Sequence, residues 1–163
     1  MGRTIGIRRY REGDAPELWA LYHDTTHLVN GRDYTPEQCE RWAPSRCDAE
    51  RWNTRLATTV PFIAESEGLI VGFAELEPNG EIGYFYCHHA WQRQGVGSLL
   101  CTALEQDALA RGLSTLRAEV SLTALPFFLR MGFQILIEQN KMICGAPAPN
   151  YVMEKALSHA GLR

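Results

Sequence analysis

Apolar and polar residues change their period several times along the chain, and each change marks an element. Ile5 and Ile7 alternate with polar neighbours, as in a half-exposed strand. Asp14-Ala15-Pro16-Glu17 then supplies an N-cap, an early proline and an acidic third position, which predicts a first helix. Thr35-Pro36-Glu37-Gln38 is a sharper start: a threonine N-cap, proline at the first helical position and glutamine at the third make a capping box. Asp48 is placed to cap a short third helix carrying Trp52 and Leu56. From Pro61 the period shortens. Phe62 to Glu65, Leu69 to Glu77 and Ile82 to Cys87 read as strands, broken at Glu67-Gly68 and at Pro78-Asn79-Gly80, and together predict an antiparallel meander.

Val96, Leu99, Leu100, Ala103 and Leu104 then follow the spacing of a core-facing helix, which Arg111-Gly112 closes. Leu116 to Val120 reads as a buried strand and Ala124 to Met131 as a short helix ending at Gly132. Phe133 to Glu138 and Tyr151 to Glu154 read as two further strands. The order β-α-α-β-β-β-α-β-α-β-β places the chain in the α+β class, with helices and strands mixed along one chain.

Composition narrows the reading. A chain of 163 residues without a linker-like stretch is expected to form a single domain, and 45% hydrophobic residues are enough for a real core. The formal charge of −3, with basic residues scattered among acidic ones, argues against a nucleic-acid partner. No stretch reaches the roughly 18 apolar residues of a membrane span, and the start lacks a secretory apolar segment, so a cytoplasmic protein with no membrane partner is expected. Cys39, Cys47, Cys87, Cys101 and Cys144 are odd in number and lack close pairing, which fits reduced, buried thiols.

The most informative segment runs from a strand into a helix through Gln92-Arg93-Gln94-Gly95-Val96-Gly97-Ser98. The first amides of a helix have no intrahelical partner and carry about half a positive charge, so this loop can hold an anion by backbone alone. It lacks the lysine and hydroxyl of an ATP-binding P-loop and the third glycine of a dinucleotide fingerprint. Gln92-x-x-Gly95-x-Gly97 is similar to the signature of the GCN5-related N-acetyltransferase (GNAT) family. Val120-Ser121-x-x-Ala124-x-x-Phe127-Phe128-x-x-x-Gly132-Phe133 resembles that family's second coenzyme A motif. Tyr34 to Gln38, Trp42-Ala43 and Asn150 to Lys155 look like the family's YafP-like branch.

The resemblance implies a GNAT-like acyl-CoA N-acyltransferase fold: a central twisted, mostly antiparallel sheet of six to seven strands, flanked by about four helices. It also implies acetyl-CoA as co-substrate and no metal. The cofactor would be held by the amides around Gln94 to Ser98 and by the rest of the motif: Gln92, Arg93, Gly95, Val96, Gly97, Ser121, Ala124, Phe127 and Phe128. Tyr86, Cys87 and His88 would offer main-chain groups to pantetheine and the thioester carbonyl. The acceptor would be a primary amine on a small molecule or peptide, walled by His23, His27, Tyr34, Trp42 and Tyr84, and the chain is expected as a monomer or a homodimer. Asn30-Gly31-Arg32-Asp33, a turn-rich stretch, is placed to move over the substrate.

An amine with a pKa near 10.4 is overwhelmingly protonated at pH 7, a deficit of roughly 4–5 kcal/mol, so a base is useful. Glu75, Glu77 and Glu81 are the carboxylates of the meander. Glu81, eleven residues before Gln92, lies where the family's histone-modifying members resemble this stretch with a glutamate base. A plainer reading makes all three glutamates alternating solvent-facing positions. Phe128 stands where the family often has a tyrosine to protonate the leaving thiolate, so Tyr86, Tyr84 or Tyr151 would have to substitute. His88 and His89 are predicted to point to opposite faces and to lack a third metal ligand. An acyl-Cys87 intermediate has no base readable beside it. The competing function is a non-catalytic acyl-CoA binding or sensing domain, and a toxin-like action on charged tRNA would need a basic patch that the sequence lacks.

Overall fold

The computed structural model describes residues 3–143 and 145–158, so Cys144 lies outside the described residues. Seven strands and five α-helices follow the chain as β1 (Gly6–Arg9), α1 (Ala15–Leu28), α2 (Pro36–Trp42), α3 (Ala49–Thr59), β2 (Phe62–Ser66), β3 (Leu69–Leu76) and β4 (Glu81–Cys87). They continue as α4 (Val96–Ala110), β5 (Thr115–Ser121), α5 (Leu125–Arg130), β6 (Gln134–Ile143) and β7 (Ala146–Ala156). Two 3₁₀ turns, Asn30–Arg32 and His89–Trp91, follow α1 and β4.

The strands form one sheet in the order β1-β2-β3-β4-β5-β7-β6, antiparallel at every pairing except β4 with β5. On one face α1 and α3 bury Leu18, Tyr22, Trp52 and Leu56 against Ile63, Ile70 and Phe73. On the other, Val96, Leu100 and Leu104 of α4 and Phe128 of α5 pack on Val71, Leu116, Val120 and Met153.

Local chemistry accounts for the helix starts. Thr35 Oγ1 accepts from Gln38 N at 3.1 Å and Gln38 Oε1 accepts from Thr35 N at 2.8 Å, the predicted reciprocal box. Asp48 accepts from Arg51 N at 3.1 Å, and the helix it starts is eleven residues long rather than short. Asp14 does not cap α1: its carboxylate instead accepts from Arg8 at 2.8 and 3.0 Å and from Arg11 N at 2.8 Å.

The last two strands are longer than the sequence predicts, and β7 runs through Pro147 and Pro149. They are tolerated in β7 because residues 146–149 run past the end of β5, where Ser121 pairs with Asn150. On that open side the carbonyls of Pro149 and Pro147 accept from Tyr34 Oη at 2.5 Å and Gln38 Nε2 at 3.1 Å.

Two irregularities shape the middle of the sheet. β4 and β5 pair only at Glu81 with Arg117 and Ile82 with Ala118, then diverge. Just there β4 carries an extra residue, since Ala74 pairs with Phe85 but Leu76 with Ile82. This bulge at Gly83-Tyr84 reverses side-chain parity, so Tyr84 and Tyr86 share a face with Glu81, which strict alternation would not allow.

Candidate active site

Two cavities meet where β4 and β5 part. The first, about 340 Å³, lies over the start of α4 and is lined by Phe85, Cys87, Gln92, Gly95 to Ser98, and Phe127. The second, about 530 Å³, opens on the α1–α2 side among Tyr22, Tyr34, Tyr84, Glu77, Glu81 and Asn150. Both are lined by Trp42, Ile82, Gly83, Tyr86, Glu119 and Ser121, so they are continuous through the opening in the sheet.

The first cavity is cationic. Arg32, Arg93 and Arg130 line it against the single carboxylate of Glu119. Gly95 caps α4 with φ 88°, a left-handed conformation that favours glycine, and no side chain caps the helix, so its first amides face the cleft. A Cβ at Gly97 would lie 2.8 Å from the Phe127 ring, so this cavity-lining glycine also lets α5 close on α4. Gln92 spends its amide on the strand end, donating to Cys87 O at 2.9 Å and His88 O at 3.2 Å. Ser121 Oγ accepts from Ala124 N at 3.1 Å and Asn30 Nδ2 at 3.2 Å. Thr123 Oγ1, in the cleft wall, is buried without a partner.

Main-chain direction corrects one expectation. His88 N donates to Val71 O on β3 at 2.8 Å, and Tyr86 pairs with Phe73 two residues earlier. Amide direction alternates along a strand, so Tyr86 and His88 turn their main-chain groups to β3, whereas Phe85 and Cys87 face the opening. The Cys87 carbonyl already accepts from Thr25 Oγ1 at 3.0 Å and from Gln92, which leaves its N–H for a ligand. Burial pushes the Cys87 thiol up to about 12, so it is not a thiolate nucleophile at neutral pH.

The second cavity is acidic and aromatic. Glu77, Glu81 and Glu119 line it beside Arg55 and Lys141, and Lys141 pairs with Glu119. Glu75 is not solvent-facing as the alternation predicts. It is fully buried and accepts from Arg55 at 2.7 and 3.2 Å, Thr59 Oγ1 at 2.7 Å and Tyr84 N at 2.9 Å. It braces the bulge. The Tyr86 hydroxyl is pushed well above its usual value by burial, with the Tyr84 ring acting in the same direction. The Asn150 side-chain oxygen is buried and unpartnered in this wall.

Trp42, Tyr84 and Tyr86 reach the cavity as expected, and Tyr34 contributes its ring. The Tyr34 hydroxyl is committed to Pro149 O and to Leu122 N, the latter at 2.9 Å. His27 is not in either lining: its Nε2 bonds Ala43 O at 2.9 Å on the outer side of α1. The Asn30–Arg32 stretch is a 3₁₀ turn tied down by Asn30 to Ser121 and by Tyr34, not a free flap. His88 lies past the strand end, so its ring stacks on His89 at 4.4 Å instead of facing away. Phe128 is buried among Phe85, Phe127 and Phe133. Arg32, Arg130, Glu119, Thr123 and the Phe85 main chain were missed because their placement depends on how distant segments meet.

Residues 30–155 match the family model described as the acetyltransferase (GNAT) domain. The uncharacterized N-acetyltransferase YafP of Escherichia coli (strain K12) is 30% identical over 156 residues, covering 96% of this chain and 99% of that protein. A crystal structure from Rhodopseudomonas palustris, named as a GCN5-related N-acetyltransferase and class-II aminotransferase, superposes with a TM-score of 0.91. It is 31% identical and covers 96% of this chain and 98% of its own. The PaiA N-acetyltransferase of Thermoplasma acidophilum, in complex with coenzyme A, shares the fold with a TM-score of 0.75. It is 19% identical and covers 94% of this chain and 99% of its own. The superpositions show that this chain has the fold of these two structures. Among the described residues no helix is long and apolar enough to cross a membrane.

Proposed function

The chain belongs to the GNAT acetyltransferase family, and from that premise we propose that it moves the acetyl group of acetyl-CoA to a cationic primary amine, by direct attack in a ternary complex. The observation that carries this reading is the difference in polarity of the two joined cavities: three arginines and helix amides on one side of the opening, and on the other a ring of aromatic side chains with Glu77 and Glu81 beside Arg55 and the Lys141–Glu119 pair. Phosphates fit the first and an ammonium the second.

Acetyl-CoA supplies the acetyl group as an activated thioester. The amides of Gln94 to Ser98 hold its pyrophosphate, with Arg93 and Arg130 as counter-charges. Phe85 and Cys87 present their main chain to the pantetheine arm, and the Cys87 N–H polarises the thioester carbonyl. On the acceptor side the Asn150 oxygen and the rings of Trp42 and Tyr84 orient the amine. Glu81 takes its proton, directly or through water. The Tyr86 hydroxyl lies above about 10 and a thiol near 8.5, so full proton transfer to the departing sulfur runs uphill. Tyr86 therefore acts as a hydrogen-bond donor, and the thiolate takes its proton from solvent. The neutral Cys87 thiol favours this route over an acyl-enzyme.

The test is calorimetric binding of acetyl-CoA to the parent and to Ser98→Glu. This variant sets a carboxylate at the helix start on an exposed helical residue, without the backbone strain of a side chain at Gly95. Turnover on a panel of mono- and diamines follows, with Glu81→Gln losing about 10²–10⁴-fold in kcat. Absence of cofactor binding by the parent would overturn the reading. Binding without turnover on any amine would favour the sensing domain.

A further inference from the structure

Outside both cavities, the exposed side of α1 carries a second cluster of chemistry-bearing groups. His23 and His27 stand one helical turn apart with ring centroids at 4.2 Å, and Glu40 of α2 reaches across to within 3.6 Å of His27 Nε2. One ligand atom from each of the three lies within 4.8 Å of the others. We propose that His23, His27 and Glu40 form a binding site for a divalent transition ion of the zinc, nickel or copper class, tying α1 to the exit of α2.

The donor set is right for such an ion: two imidazoles and one carboxylate, with room for water as a fourth ligand. Two of the three donors are also oriented by a neighbour, as metal ligands are. His23 Nδ1 lies 3.1 Å from Asp24 Oδ1, which holds the proton there and leaves the lone pair on Nε2, 3.3 Å from Ser45 Oγ, whose own proton goes to Glu40. Glu40 accepts from Ser45 N and Ser45 Oγ, both at 2.8 Å. The two imidazoles are about one-quarter exposed and Glu40 about half, so an ion can enter from solvent. His27 must exchange its 2.9 Å bond to Ala43 O for the ion and move its proton to Nδ1. The consequence reaches the acceptor cavity. Trp42, next to Ala43, walls both cavities, and its carbonyl accepts from Tyr22 Oη at 2.6 Å beside His23. An ion at this point fixes that wall.

The experiment is a Co²⁺ titration of the untagged full chain near pH 7.5, read by visible absorption. The parent takes up one equivalent, with d–d bands and no sulfur charge-transfer band, and its melting temperature rises. His23→Ala and Glu40→Gln, shown folded by circular dichroism, each weaken binding by at least about 100-fold, and Asp24→Asn by about 10-fold, the scale of outer-shell losses. A parent that binds no equivalent, uptake unchanged in both ligand variants, or a thiolate band that places the ion on cysteine would each overturn the proposal. Because the readout is absorption by the resting protein, the result does not depend on the acetyl-transfer reading.

Discussion

Replacing Gly83 by alanine tests how the bulge is built. Gly83 has an ordinary backbone conformation, so only space demands glycine there. An added Cβ would lie 2.2 Å from Glu75 Oε1 and 3.0 Å from an Arg55 guanidinium nitrogen, so the carboxylate must withdraw by an ångström or more. That withdrawal weakens its bonds to Tyr84 N and Arg55, each worth about 1.5–3 kcal/mol when a charge is involved. The Arg55 side chain is 39% exposed and recovers part of its loss from water, so we expect Gly83→Ala to cost about 3 kcal/mol. At this chain length that lowers Tm by roughly 6–12 °C.

Glu75→Ala alone should cost a similar amount, because it leaves Tyr84 N without its acceptor and Arg55 without its buried partner, while Thr59 keeps the Arg55 carbonyl at 3.1 Å. The double variant should cost about as much as Glu75→Ala by itself, since the clash disappears with the carboxylate. Urea unfolding of the four proteins gives the coupling energy, expected at about 2–3 kcal/mol. A cost for Gly83→Ala under about 0.5 kcal/mol, or strict additivity, would refute the reasoning.

Two further outcomes follow from the ionisable groups. Cys87 and Cys101, both held near 12 by burial, should stay unlabelled by a thiol reagent at pH 8 in the native protein and react only after unfolding. Peptide mapping by mass spectrometry reads this, and fast native labelling of Cys87 would reopen the acyl-enzyme route. Burial works to raise the Asp14 carboxyl, but the bonds from Arg8 and Arg11 N outweigh it and hold it below 3.8. A lowered carboxyl contributes stability that is complete above its ordinary range and fades as pH falls through the folded value. Asp14→Asn should therefore cost about 1–3 kcal/mol at pH 7, with the gap closing only below about pH 4. A gap constant with pH would refute it.

What could be read from the sequence was what neighbouring residues decide. The Thr35 capping box, the Asp48 cap and the Gln92-to-Ser98 loop each act within a few residues, and each stands where its pattern predicts. Glu75 was misread because alternation gives a face but not what covers it: α3 lies over that side of β3, and Arg55 and Thr59 close on the carboxylate. The start of β7, through Pro147 and Pro149, was not predicted because proline is tolerated in a strand only where no partner needs its N–H, and that depends on where β5 stops. His27 looked like an acceptor residue from its helix, but its side of that helix is set by how α1 lies on the sheet. Arg32 and Arg130, on separate segments, line one cavity only because the Asn30 turn and α5 both border it.

The parting of β4 from β5 makes the sheet two plates joined by a two-pair seam, with β1 to β4 on one side and β5, β7 and β6 on the other. Other ties cross it away from the opening: the core under α4, the Phe85 ring against Phe127 and Phe128, the Asn30–Ser121 bond, the Tyr34 bonds to Leu122 and Pro149, and the Gln38–Pro147 bond. A molecule that lies along the opening and bonds both edges stitches the plates together. In this fold occupancy and rigidity rise together, and the energy that holds the ligand is also energy that holds the protein shut.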